Sequence, residues 1–275
     1  MGGTSLVRSG AEWEERSWGD PGVFGLFKSA GGALPSAMVN VMCMKWGVKY
    51  GPEYVNKLRS MLSRHLARPH RFICFTDDGS GINSGVEIMP LPAMALPPGK
   101  ERGWRKLSTF CSPLFDLHGP TVFLDLDIVI TGSIDCFFGQ PGEFCIIHDW
   151  AKPWRMTGNS SVYRFEAGTH PEILDYFLKH IDRVKGEVRN EQEYLTREMH
   201  RLGLLTYWPK EWCVSFKHSC LPVFPLNLVR TPQLPAGAKV VVFHGAPNPP
   251  DAVAGKGRGL YRFVRATPWV GEHWR

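Results

Sequence analysis

Two carboxylates placed two residues apart, Asp125 and Asp127, carry the strongest chemical signal in the chain. They close a run of apolar and β-branched residues, 121–124, and Ile128, Val129 and Ile130 follow at once. A short apolar run of this kind reads as a strand in a buried, mostly parallel sheet. Carboxylates within such a run are costly unless a cation compensates them. On an ideal strand, residues two apart share a face, so both would point the same way. If the strand ends here, both reach the crevice beyond the carboxyl edge of the sheet, where open α/β folds bind ligands. Two hard oxygen ligands at that place suit Mg²⁺ or Mn²⁺ holding a diphosphate. The plainer alternative is a solvated strand end, because Asp-x-Asp recurs by chance.

The elements that must position these groups follow from hydrophobic periodicity. Residues 37–44 predict a first strand, 45–51 a loop, and Pro52 the first position of a helix with Tyr54, Leu58, Met61 and Leu62 inward. Residues 71–76 and 86–90 predict two further strands, and the Pro-rich stretch 91–99 a surface loop. Trp104, Leu107, Phe110 and Leu114 recur near helical spacing over 104–117, interrupted by Pro113. After the aspartates, strands are expected at 142–147, 158–165 and 240–243, and helices at 171–180 and from 190 onward. The acidic first turn of the last helix, Glu191 and Glu193, suits its dipole. Asp77 and Asp78 end the second strand; a turn-forming Asp-Gly pair accounts for Asp78, and Asp77 is free to bind ribose hydroxyls.

The segment 106–138, with its Phe-Leu-Asp-Leu-Asp core, resembles the metal-binding segment of nucleotide-sugar glycosyltransferases of the GT-A fold. It is most similar to the retaining group that includes glycogenin and the bacterial lipooligosaccharide galactosyltransferases. The resemblance spans about residues 37–250 and implies a single α/β, Rossmann-like domain, a mostly parallel sheet flanked by helices with the Asp-x-Asp at its edge. It implies Mn²⁺ or Mg²⁺ on Asp125, Asp127 and a third ligand, His244, in a segment similar to a His-x-x-Gly-x-x-Lys-Pro ending. There Asn248 stands where a lysine is expected, so the positive charge on the diphosphate falls to Lys256 or Lys106. Donor contacts carry over to Tyr50 beside the base, Lys106 at the phosphate and Asn159 beside the sugar; a packing Tyr50 and a solvated basic face at Lys106 are the plainer alternatives. Ser161 replaces a glycine of that last strand. Residues 190–196 resemble the Asp-Gln-Asp segment of the retaining enzymes with Glu at both acidic places. The implied catalytic residues at the reacting sugar are Gln192 and Asp149.

With 275 residues, 43% hydrophobic and 21% charged, the chain is long enough for one α/β domain with a large core. Residues 1–36, rich in Gly and Ser, read as an extension, and 251–275 as a basic, aromatic tail. That tail fits either attachment to an anionic membrane surface or wrapping onto the domain. No run of eighteen apolar residues appears. The N-terminus has no basic start and apolar core, and seven cysteines form no framework, which together point to a reducing cytoplasm. Cys213, His218 and Cys220 lack a fourth zinc ligand and a CxxC knuckle, so buried thiols are the reading preferred. A net charge of +6 favours anionic ligands. The expected partners are a UDP-sugar and a saccharide or lipid-linked acceptor, with no nucleic acid. Two other classes stay open: a nucleotidyltransferase, against which the scattered glycines of 45–51 count, and a catalytically silent binder of the same fold.

Overall fold

The computed structural model describes the backbone of residues 7–9 and 12–14, and residues 38–275 apart from 98, 100, 102 and 258. Two compact units divide after Pro35. In the first, β1 (Val7–Ser9) and β2 (Glu12–Glu14) pair antiparallel; the rest of the expected extension lies outside the described residues. The second runs Ser36–Arg275 and therefore includes the segment 251–275.

In chain order the second unit holds β3 (Val39–Lys45), α1 (Pro52–His65), β4 (His70–Thr76), β5 (Glu87–Pro90), β6 (Gly119–Leu124) and β7 (Ile128–Ile130). Then come β8 (Phe144–His148), β9 (Gly158–Ala167), α2 (Glu172–Lys179), α3 (Ile181–Glu187), α4 (Glu191–Arg201) and β10 (Leu205–Tyr207). Finally β11 (Cys213–Ser215), β12 (Val240–Val242), α5 (Pro249–Ala254) and α6 (Pro268–His273) complete it. Seven strands form the central sheet in the order β10–β8–β9–β6–β3–β4–β5. Its pairs are parallel except those of β9, which runs antiparallel to both β6 and β8. This is the α/β architecture expected, a mostly parallel sheet with helices on its faces.

Strand alternation explains the two core layers. Val41 and Cys43 of β3 face a core with Val55, Leu58 and Met61 of α1, while Met42 and Met44 face the opposite core with Trp104, Phe123 and Tyr163. A strand buried on both faces needs apolar residues at every position, as β3 has nearly throughout. Pro52 starts α1, and Asn190 caps α4 by accepting a hydrogen bond from the Glu193 amide at 3.2 Å.

Two sequence expectations change, and one expected helix is met with a further helix after it. The apolar periodicity of 104–117 yields only a short 3₁₀ helix, Trp104–Phe110; Pro113 has no amide hydrogen to donate, and its ring would clash with a continued helical turn. The helix expected over 171–180 is followed directly by α3. The strand expected over 121–130 breaks into β6 and β7, which belong to different sheets. Asp125, Leu126 and Asp127 are the link between them, so the two carboxylates do not share a strand face. β7 pairs antiparallel with β12, and β12 pairs parallel with β11, in a second, three-stranded sheet.

The segment after residue 250 is wrapped onto the unit through its tryptophans. Trp274 is buried edge-on against Tyr54 at 5.2 Å, and the Lys57 ammonium lies over its ring at 4.4 Å. Trp269 Nε1 donates to the Pro232 carbonyl at 2.9 Å. Among the described residues, no helix is long and apolar enough to cross a membrane.

Candidate functional site

The link between the two sheets is pinned from both sides. The Asp125 amide donates to the Ser161 carbonyl of β9 at 2.8 Å, and the Phe243 amide beyond β12 donates to the Asp127 carbonyl at 3.0 Å. Around it lies a cavity of ≈ 230 Å³ lined by Trp46, Lys49, Tyr50, Lys106, Asp125 and Asp127, among others. It opens at the carboxyl ends of β3 and β6, where an α/β sheet binds ligands.

Lys106, from the 3₁₀ helix, is the buried cation of this cavity. Its Nζ lies 2.7 Å from Asp125 Oδ1 and 2.8 Å from Oδ2, and also donates to the Ser160 carbonyl at 3.2 Å. Glu191 Oε1 lies 3.9 Å from the same ammonium and accepts from Ser160 Oγ. Burial alone would pull Lys106 down, but Asp125 and Glu191 outweigh it and hold the ammonium above its ordinary value. Burial pushes the Glu191 carboxyl up, against the pull of Lys106 and Ser160.

Tyr50, from the loop between β3 and α1, donates its hydroxyl to Asp127 Oδ2 at 2.6 Å. Burial, then the adjacent Asp127, raise the phenol well above its usual range. Asp127 itself is buried. Burial first and Asp125 second push its carboxyl up to about 6, against the Tyr50 bond, Lys49 and Lys106. Three carboxylates (Asp125, Asp127 and Glu191) thus surround one buried ammonium. Their excess negative charge is the feature a bound cation would relieve.

His244 follows the amide that bonds Asp127, but its ring is directed elsewhere. Its Nε2 is hydrogen-bonded to Ser215 Oγ at 2.7 Å, and the ring is stacked between Trp150 and His218, each at 5.6 Å. Its carbonyl accepts from Lys217 Nζ. Burial, then Lys217 and His218, lower the imidazole to about 4 and keep it neutral. Among the described residues, no three His, Cys, Asp or Glu side chains form a group that could hold a metal. The His244 ring therefore does not join Asp125 and Asp127 as drawn from the resemblance, because Ser215 and the two flanking rings hold it. The same statement covers Cys213, His218 and Cys220, and the thiols of Cys213 and Cys220 are free.

The other sequence candidates fall in three places. Asp77 is exposed, and its Oδ2 accepts from the Gly47 amide at 2.9 Å, which ties down the loop carrying Tyr50. Asn159 is buried in β9, with Oδ1 accepting from the Ser161 amide at 3.0 Å. Asp149 and Gln192 come together at the rim of one open depression, with Lys152, Arg189 and Asn190. Sequence reasoning passed over Lys49, Ser160 and Ser215. Ser160 meets Lys106 and Glu191 across 54 and 31 residues, and Ser215 meets the His244 ring across 29, which no local spacing signals. Lys49 had a signal, a lysine beside Tyr50 at the carboxyl end of a parallel strand.

These features define an α/β protein of the GT-A glycosyltransferase type in its fold. No family model matches the chain, and no curated protein matches its sequence. Among solved structures, the chain is similar to the galactosyltransferase LgtC in complex with donor and acceptor sugar analogues. The two superpose with a TM-score of 0.51 at 10% sequence identity, over 76% of this chain and 88% of that chain. At that identity the likeness concerns the fold.

Proposed function

We propose that this chain transfers a sugar from a nucleoside diphosphate, a UDP-sugar by resemblance, to a hydroxyl acceptor with retention of anomeric configuration. The observation that carries the reading is the pairing of Asp125 with Lys106 and of Asp127 with Tyr50 in one cavity at the carboxyl edge of a GT-A-like sheet. The residues fit a divalent ion in charge and ligand type. Asp125 and Asp127 are hard oxygen donors, and Asp127 is raised first by burial and second by the charge of Asp125, which a cation between them would offset. Mn²⁺ or Mg²⁺ held there would supply Lewis-acid stabilisation of the departing diphosphate.

The chain's own groups do the rest. Lys106 offers a fixed, desolvated ammonium to the phosphate oxygens, while Tyr50 holds the Asp127 carboxylate in place. Asp77 fixes the loop of Tyr50 rather than reaching the ribose directly. Gln192 and Asp149, which share one depression, are the residues assigned to the reacting sugar in this reading. His244 stands one residue beyond the amide bonded to Asp127, with its ring held by Ser215.

The test is turnover of UDP-sugars with and without Mn²⁺, followed by NMR of the product anomer. Metal-dependent turnover with retention is the expected result. Inversion would remove the role given to Gln192. UDP binding without any turnover, in the presence of acceptors, would favour the silent binder, a reading consistent with Asp125 already being paired to Lys106.

A further inference from the structure

Three depressions line the carboxyl edge beyond the donor cavity, and they are contiguous. The first holds Gln192 and ends at Asp149; the second runs from Asp149 past Trp150 to His218; the third runs from His218 past His244 to Phe224 and Tyr261. Their volumes are ≈ 550, 280 and 440 Å³. Each is of the order that accommodates a small-molecule unit, so the trough is longer than one sugar requires.

The charges along it are one-sided. Lys152, Arg189, Lys210, Lys217 and Arg262 line it against a single carboxylate, Asp149, among the described residues. Glu193 answers Arg189 in an ion pair. Lys217 is likewise engaged, donating to the His244 carbonyl, so Lys152, Lys210 and Arg262 carry the excess positive charge. A cleft lined by one sign of charge concentrates ligands of the other. Its far end is aromatic: Phe224 and Tyr261 pair at 4.6 Å, and Tyr261 is 77% exposed. Exposed rings beside cations suit a ligand with apolar ring faces and anionic substituents, which a neutral sugar or a bare phosphate offers only in part.

We infer that the acceptor is an anionic oligosaccharide, at least two units long, bearing carboxylate or phosphate groups and lying along this trough from Gln192 to Tyr261. The inference rests on the transferase reading for the word acceptor, but not for binding.

The experiment measures binding to the full-length protein, in the absence of metal and at low ionic strength. The probes are hexamannuronate, a phosphorylated mannopentaose and neutral mannohexaose. At least one acidic chain should bind about tenfold or more tightly than the neutral one, and added salt should erase the difference. Which acidic chain binds tells carboxylate from phosphate. Reversing two exposed cations, Lys210→Glu with Arg262→Glu, should bring the acidic chains down to the neutral level without altering the melt. UDP binding with Mn²⁺ is measured on the same proteins and should not change. Equal affinity for mannohexaose, indifference to the charge reversal, or capture only by anionic vesicles would overturn the inference. Loss of UDP binding in the reversed protein would also overturn it, by assigning those cations to the donor. If the unaltered protein binds the acidic chain but no UDP, the transferase reading fails while the anionic saccharide site stands.

Discussion

Asp127→Asn separates the electrostatic reading of the site from a merely structural one. Without metal, the Asp127 carboxyl sits at about 6 rather than its ordinary 3.8, through burial and the nearby Asp125. At 1.36 kcal/mol per pKa unit, carrying this ionised group in the folded state costs about 3 kcal/mol at neutral pH. The sign follows from where the proton resides. Below 3.8 both states hold it and the group contributes nothing. Between 3.8 and about 6 the unfolded chain has released it and the folded chain has not, so stability falls as pH rises. Above 6 the full cost is present.

Asparagine removes that cost while its amide oxygen can still accept from Tyr50. A neutral acceptor weakens that bond by about 1 kcal/mol, leaving a net gain of about 1–2 kcal/mol. In EDTA at pH 8 the variant should melt several degrees higher, at about 2–4 °C per kcal/mol for a chain of this size. At pH 4 the gain should vanish. With Mn²⁺ and UDP the order should invert, because the unaltered protein gains from the ligand and the variant has lost a charged donor. The assay is a set of melting curves at both pH values, with and without the ligands. A variant that is less stable at pH 8 in EDTA, or that keeps the full ligand response, refutes the argument.

Other consequences can be measured on single variants. Lys106→Met leaves Asp125 and Glu191 without their buried counter-ion and should destabilise by about 3–5 kcal/mol, seen as a lower denaturant midpoint. Trp274→Ala empties a buried site and should cost about 3 kcal/mol. Because Trp274 packs on Tyr54 and Tyr54 on Tyr50 at 4.7 Å, the same change should weaken UDP affinity, with Trp274→Phe intermediate in both readouts. His244, lowered to about 4, stays neutral in the fold, so stability should fall as pH drops from 6.5 toward 4. His244→Gln should flatten that acid limb of the stability profile by about 1–3 kcal/mol after allowance for its partial exposure.

Much of the frame is legible in the sequence, because β3, β4, β5 and α1 are specified by local pattern. Val39–Lys45 is apolar at nearly every position, and Pro52 and Asn190 mark helix starts by their own chemistry. The aspartate pair is legible as types and spacing but not as geometry. Ile128, Val129 and Ile130 look like a continuation of the strand before them, yet they pair with β12, more than a hundred residues later in the chain. Nothing in a hydrophobic period says which sheet a strand will join. The same blindness hides Glu191 and Ser160 as neighbours of Lys106, and Ser215 as the partner of His244, since each contact depends on tertiary assembly. The basic, aromatic composition of 251–275 was compatible with two fates, and packing of Trp269 and Trp274 on the unit reveals one.

The break at Asp125–Asp127 has a physical logic beyond the loss of a strand. A continuous strand would place both carboxylates on one face at a separation fixed by its pleat. Here the Asp125 amide is anchored on β9 of the central sheet, and the Asp127 carbonyl on the segment beyond β12 of the second sheet. The distance between the carboxylates is therefore set by how the two sheets meet. Lys106 grips one carboxylate and Tyr50 the other, each from an element of its own. A ligand touching both aspartates would bridge two sheets and two supporting elements at once. Its binding energy would then act on the junction itself, which under the proposed transfer would hold a charged leaving group still while the sugar departs.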